Sequence, residues 1–101
     1  MKIQSFTFNS FQENTYILYD NSKECLIIDP GCYQEHEKET LISFIEENNL
    51  NPKKIINTHC HIDHVLGNNF CSKRWSLDIW ANEKEVSILK NNKNVASLYG
   101  M

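Results

Sequence analysis

No apolar stretch in these 101 residues approaches the roughly 20 needed to span a bilayer, so no membrane partner is expected. The opening Met1-Lys2-Ile3-Gln4-Ser5 lacks the apolar core of a secretory signal. A cytoplasmic location is the default expectation. A concentrated basic face is missing too. The net charge is −3 and the ten Lys and Arg residues are spread along the chain, which argues against a nucleic-acid partner. The four cysteines, Cys25, Cys32, Cys60 and Cys71, contain no Cys-x-x-Cys pair, so zinc-ribbon spacing is absent. Without an export signal, disulfides are not expected either. Cys25 lies in an apolar run and reads as a small core residue. No internal repeat is evident.

What is present describes one small domain over residues 1–101, with a modest core. Its hydrophobic fraction of 41% and charged fraction of 23% are ordinary for a globular protein. Lys2 to Phe8 and Asn14 to Asp20 read as strands rich in aromatic and β-branched residues. Asp20-Asn21-Ser22-Lys23 is turn chemistry and predicts a hairpin into Glu24 to Asp29. Leu26-Ile27-Ile28 is apolar without alternation, which predicts a strand covered on both faces. Asp29-Pro30-Gly31 ends it. Leu41, Phe44 and Ile45 fall at helical spacing within Glu35 to Asn49, with Glu35, Glu37, Lys38, Glu46 and Glu47 largely on the other face. Asn51-Pro52 is expected to stop that helix.

Lys54 to Thr58 reads as the next strand, and the helix between makes a parallel crossover plausible. Val65, Leu66 and Phe70 suggest a short helix. Leu77 to Trp80 suggests a short strand, and Glu83 to about Lys90 a further helix. Alternating helices and strands after a hairpin-rich start predict an α/β layered domain. Both tryptophans are expected in the core.

Three of the four histidines fall in one window, Thr58-His59-Cys60-His61-Ile62-Asp63-His64. Imidazole nitrogen and carboxylate oxygen suit zinc, with iron or manganese as alternatives. At the end of a strand, His59 and His61 lie two residues apart, so both rings project to one side. Asp63 and His64 follow where the chain can turn into a helix, and neighbours in a turn can face different centres. The run can therefore give two ligands to each of two ions; one ion held by three of them is the alternative. Against a polar loop with coincidental histidines stand the scarcity of histidine elsewhere and the strand-then-helix flanks. Cys60, on an extended segment, would face away from His59 and His61, with ligation as its alternative. Asp29 reads either as a hydrogen-bonding support of the metal loop or as a turn residue. Thr58 either fixes the motif backbone or simply ends a strand. Gly67 permits close packing, and His36, near a helix start, reads as a surface residue.

The His59-x-His61-x-Asp63-His64 run resembles the signature of the metallo-β-lactamase superfamily of metal-dependent hydrolases. Asn14-Thr-Tyr-Ile-Leu-Tyr, then Glu24-Cys-Leu-Ile-Ile-Asp29-Pro30-Gly31, a helical stretch, and the motif followed by Val65-Leu66-Gly67-Asn68 keep the order of its glyoxalase-II-like (hydroxyacylglutathione hydrolase-like) branch. The resemblance covers residues 1 to roughly 90. It implies a four-layered αββα sandwich, of which this chain supplies about half: a mixed sheet with flanking helices. It also implies that His59 and His61 hold a first ion and that Asp63 and His64 hold part of a second. Asp63 then orients the attacking water or receives its proton. The implied activity is hydrolysis of a small-molecule substrate, a thioester by preference, through a zinc-activated water. In that family the later half of the domain adds a histidine, a bridging aspartate and a last histidine. Here no histidine follows His64, and Asp78 is the only later aspartate, too soon to be the bridge. The sequence thus reads as the amino-terminal half of a metallohydrolase. The alternative is a non-catalytic metal-binding fragment or subunit completed by a partner chain. Half a sandwich leaves apolar surface, with Phe44, Trp75, Trp80 and Tyr99 as candidates for it, which predicts a homo-oligomer or a complementing carboxy-terminal half.

Overall fold

Five strands form one mixed sheet in the computed structural model, which describes residues 1–58 and 65–81. The helix expected from Glu83 onward, Tyr99, and the run from His59 to His64 lie outside the described residues. Strands β1 (Lys2–Phe8), β2 (Glu13–Tyr19) and β3 (Glu24–Ile28) form an antiparallel meander. The turn between β2 and β3 is built as its residues predict. The Asp20 carboxylate accepts from Ser22 N at 2.9 Å and Ser22 Oγ at 2.6 Å, and Lys23 N donates to Asp20 O at 3.1 Å. Helix α1 (Glu35–Glu47) then crosses to β4 (Asn51–Asn57), which pairs with β3 in parallel. Helix α2 (Asn68–Trp75) leads to β5 (Ile79–Ala81), parallel to β4. The order is β1-β2-β3-β4-β5, the α/β arrangement expected.

Side chains alternate along each strand, so the pairing sorts them into two faces. Ile17, Ile27 and Ile55 align across the first face and pack with Leu41 and Ile45 of α1 in one core. Each of these side chains is essentially inaccessible, and burying one stabilises by about 2 kcal/mol. Phe44 of α1 meets Phe6 and Tyr19 edge-on, at 5.5 and 5.9 Å between ring centres. The opposite face carries a second apolar set. Register aligns Tyr16, Ile28, Ile56 and Trp80 in one row, and Ile3, Leu18 and Leu26 in another. Ile3 is 67% and Trp80 55% exposed; the others are half-buried.

Several local expectations are corrected. Leu26-Ile27-Ile28 is not covered equally on both sides: Ile27 is buried, but Leu26 and Ile28 face the half-open second side. Helix α1 ends before Pro52 is reached. Asn48 caps it and Asn49 takes a left-handed conformation (φ 54°), letting Leu50 N reach Ile45 O at 2.9 Å. Pro52 instead lies inside β4, opposite Cys25, where the register shifts by a residue. Such a bulge tolerates a residue with no N–H to give the ladder. Val65 is helical, but a turn at Leu66 and Gly67 separates it from α2, which begins at Asn68, and the last strand among the described residues is Ile79–Ala81. Trp80 is not core: it stands on the second face under the Lys54 ammonium, 3.9 Å from the ring centre. Trp75 is half-buried and packs on the core beside Phe70. Cys25 is buried, as expected, and among the described residues Cys25, Cys32 and Cys71 are free thiols. No helix among the described residues is long and apolar enough to cross a membrane.

Candidate functional site

The carboxyl ends of β3 and β4 lie side by side because these strands are parallel, and open α/β sheets bind ligands at such ends. The turn that leaves β3, Asp29-Pro30-Gly31-Cys32, is buried throughout. Asp29 takes a left-handed conformation (φ 52°), which a short polar side chain tolerates. Its N–H continues the ladder to Ile56 O at 2.9 Å. Its carboxylate then turns onto the end of β4. Oδ1 accepts from Thr58 N at 2.7 Å, and Oδ2 accepts from the Thr58 hydroxyl. Of the two readings left open for Asp29 and Thr58, the geometry is that of a clamp on the residue before His59.

The same turn grips the chain again beyond the histidine run. Gly67 N donates to Pro30 O at 2.7 Å. A Cβ at Gly67 would lie 2.6 Å from Cys32 Sγ and 2.8 Å from Pro30 O, so only glycine fits. This is the close packing expected of Gly67. A third tie spans the two sides: Asn57 and Asn68 exchange carboxamide hydrogen bonds of 3.1 and 2.8 Å, both side chains buried. Thr58 and Gly67 are thus fixed to one turn, and their neighbours Asn57 and Asn68 are fixed to each other.

The turn is braced from beneath by Thr15 on β2. Its fully buried hydroxyl accepts from Gly31 N at 2.9 Å. Its single proton lies between Asp29 O at 2.8 Å and Glu13 Oε2 at 2.9 Å. From the side, Asn9 Nδ2 donates to Gly31 O at 3.0 Å. Glu37, expected on the exposed face of α1, is buried there instead. Its carboxylate accepts from the backbone N–H groups of Asn9 (2.6 Å), Tyr33 (2.9 Å) and Gln34 (3.1 Å). Burial pushes its carboxyl up, but the three donors outweigh that and hold it below the usual range. Beside Gly67, Cys71 and Cys32 are hydrogen-bonded thiols: the bond from Cys71 favours a Cys32 thiolate, and Cys71 is raised in turn.

His59, His61, Asp63 and His64, and Cys60 between them, lie outside the described residues. Among the described residues no three His, Cys, Asp or Glu side chains group as metal ligands. His36 is exposed at the start of α1, as expected. The donor chemistry of the run, three imidazoles and a carboxylate within six residues, fits a borderline divalent ion. The sequence reading missed Thr15, Glu37 and the Asn57–Asn68 pair. A signal existed for Thr15. The inward positions of β2 read Glu13, Thr15, Ile17, Tyr19, and polar side chains at the buried end of a strand imply something polar to hold.

A family model described as the metallo-beta-lactamase superfamily matches residues 9–95. The hydroxyacylglutathione hydrolase GloC of Haemophilus influenzae is 34% identical over 102 residues, covering all of this chain and 46% of that protein. The probable metallo-hydrolase YqgX of Bacillus subtilis is 30% identical over 100 residues, covering 99% and 43%. The chain thus spans less than half the length of these curated relatives. Among solved structures, TTHA1623 in a di-iron-bound form superposes with a TM-score of 0.80 at 26% identity, over 97% of this chain and 47% of that one. The BLEG-1 B3 metallo-beta-lactamase gives 0.74 at 30% identity, over 83% and 38%.

Proposed function

The chain belongs to the metallo-β-lactamase superfamily, and from that premise we propose that His59, His61, Asp63 and His64 bind divalent metal for hydrolysis of a small-molecule thioester in a completed domain. The observation that carries the reading is the double grip of one turn. Asp29 holds Thr58 immediately before the run, and Pro30 and Cys32 hold Gly67 shortly after it. A protein with no use for those six residues has little reason to anchor both flanks so closely. When bound, the metal lowers the pKa of a water toward neutrality and polarises the carbonyl under attack. His59 and His61 would hold one ion, and Asp63 and His64 part of a second. Asp63 would orient the attacking water or take its proton. Zinc is the ion this donor set suits; the di-iron form of TTHA1623 keeps iron in view. The thioester is supported by the hydroxyacylglutathione hydrolase GloC, matched along the whole of this chain.

A second reading is a metal-binding subunit that is inert until a partner chain completes it. It is favoured by the apolar second face of the sheet. Equilibrium dialysis against zinc, followed by metal analysis, tests what both readings share. We expect bound zinc in the protein and its loss in a His59→Ala, His61→Ala double variant. Unchanged metal content in that variant would overturn the assignment.

A further inference from the structure

We propose that Thr15 is a positioning residue for the metal run, acting through the Asp29 turn; this rests on the metal-binding reading above. Thr15 is the inward-facing residue of β2 opposite Phe6, and none of its surface is accessible. Its hydroxyl meets the turn at two successive peptide units. It approaches Asp29 O at 2.8 Å as donor and receives Gly31 N–H at 2.9 Å. A hydroxyl is the smallest side-chain group able to give and accept at one atom. Those two bonds fix the peptides on either side of Pro30. They therefore set the direction in which the Asp29 side chain leaves a left-handed backbone.

That direction matters because the Asp29 carboxylate is bidentate on Thr58, at the backbone N–H and the hydroxyl. Pro30 O, in the same peptide unit as Gly31 N–H, is also the acceptor for Gly67 N at 2.7 Å. One hydroxyl thus sets both grips. Glu13 Oε2 at 2.9 Å competes with Asp29 O for the Thr15 proton. The sheet beneath has no such need, since Ile17 and Ile27 fill its core without polar partners. Loss of the Thr15 hydroxyl should consequently loosen the turn and Thr58 while leaving the ladder intact.

Thr15→Val, close in shape but without the hydroxyl, and Thr15→Ser, which keeps it, separate positioning from packing. Two readouts apply: amide hydrogen exchange at Thr58 relative to Ile55, whose N–H bonds Asp78 O in the ladder, and visible titration with cobalt(II). Thr15→Val should exchange Thr58 at least tenfold faster relative to Ile55 and bind cobalt at least tenfold more weakly, with altered d–d bands. Thr15→Ser should restore both. Unchanged Thr58 exchange and cobalt binding in Thr15→Val would overturn the proposal. Failure of the unaltered protein to bind cobalt would overturn the metal reading, while Thr58 exchange would still judge Thr15. Should Thr15→Val not fold, Thr15→Cys replaces it with a weak donor of similar size. Thr58 must then exchange faster in the Cys variant than in the Ser variant, and equal rates would overturn the proposal.

Discussion

Glu37 shows how much one side chain can hold at this end of the sheet. Only 8% of it is accessible, and its two oxygens take three backbone donors from the β1–β2 loop, the loop after β3 and the start of α1. Two segments, the β1–β2 loop and the stretch that leads into α1, thus share one charge. Replacement by Gln removes the charge and leaves at least one donor poorly matched, at a cost of roughly 1–3 kcal/mol. The carboxyl is held below its ordinary value of 4.5, so the folded state favours the ionised form. Its contribution is complete above that ordinary value and is lost as pH falls below it through the depressed folded value. Urea unfolding should therefore separate the protein from Glu37→Gln most widely near neutrality, with the gap closing in acid. A gap independent of pH would show that ionisation of Glu37 contributes nothing.

At the scale of elements, α2 is seated by a contact that admits no side chain. Gly67 is its cap residue, and a methyl group there would press on Cys32 Sγ at 2.6 Å, Pro30 O at 2.8 Å and Cys32 O at 3.0 Å. Two of the three are backbone atoms of the buried turn, so α2 rather than the turn must move. Gly67→Ala should destabilise by about 1–3 kcal/mol and strain the Asn57–Asn68 pair that flanks the His59–His64 run. Adding Cys32→Ala removes the sulfur contact but not the carbonyls, so a urea titration of the double variant should show partial rescue. Full rescue would mean that the sulfur alone sets the distance, and no loss at all in Gly67→Ala would refute the close approach. The elements themselves were legible in the sequence wherever periodicity and turn chemistry agreed, as in β1, the Asp20–Lys23 turn and α1. Reading failed where a tertiary partner overrode a local rule. Asn48 and Asn49 ended α1 before Pro52 could; Pro52 entered β4 at a bulge; Glu37 left its polar face to bind three N–H groups; and Trp80 stands on the sheet face away from α1. The donor run was legible as chemistry, and Asp29, Thr58 and Gly67 as its candidate supports. The Asn57–Asn68 pair was not, and Thr15 only as a polar residue at the inward end of β2, because short polar side chains do not name their partners until strands are paired.

For the whole molecule, the sheet is covered by helix on one face and carries two rows of apolar side chains on the other. Ile3 and Trp80, more than half exposed among the described residues, are apolar surface of the kind a second layer would cover. The same division runs through the donors. On the proposed assignment, four ligands shared between two ions give two each, whereas catalytic zinc usually has three protein ligands and one open position. GloC extends to more than twice the aligned length, which supports further donors and a covering layer coming together from outside residues 1–101. Loosely held ions and a poorly oriented water reduce rate steeply, since misplacement by about 1 Å can cost on the order of a hundredfold. Residues 1–101 with added zinc should therefore bind metal yet hydrolyse a glutathione thioester no faster than the Asp63→Ala variant does. Supplying the carboxy-terminal portion of GloC, fused or as a second polypeptide, should raise hydrolysis at least a hundredfold. That activity should vanish with Asp63→Ala or His59→Ala. Turnover by residues 1–101 alone, lost in Asp63→Ala and second order in protein concentration, would instead mean that two copies build the site between them and that the half-site picture is wrong.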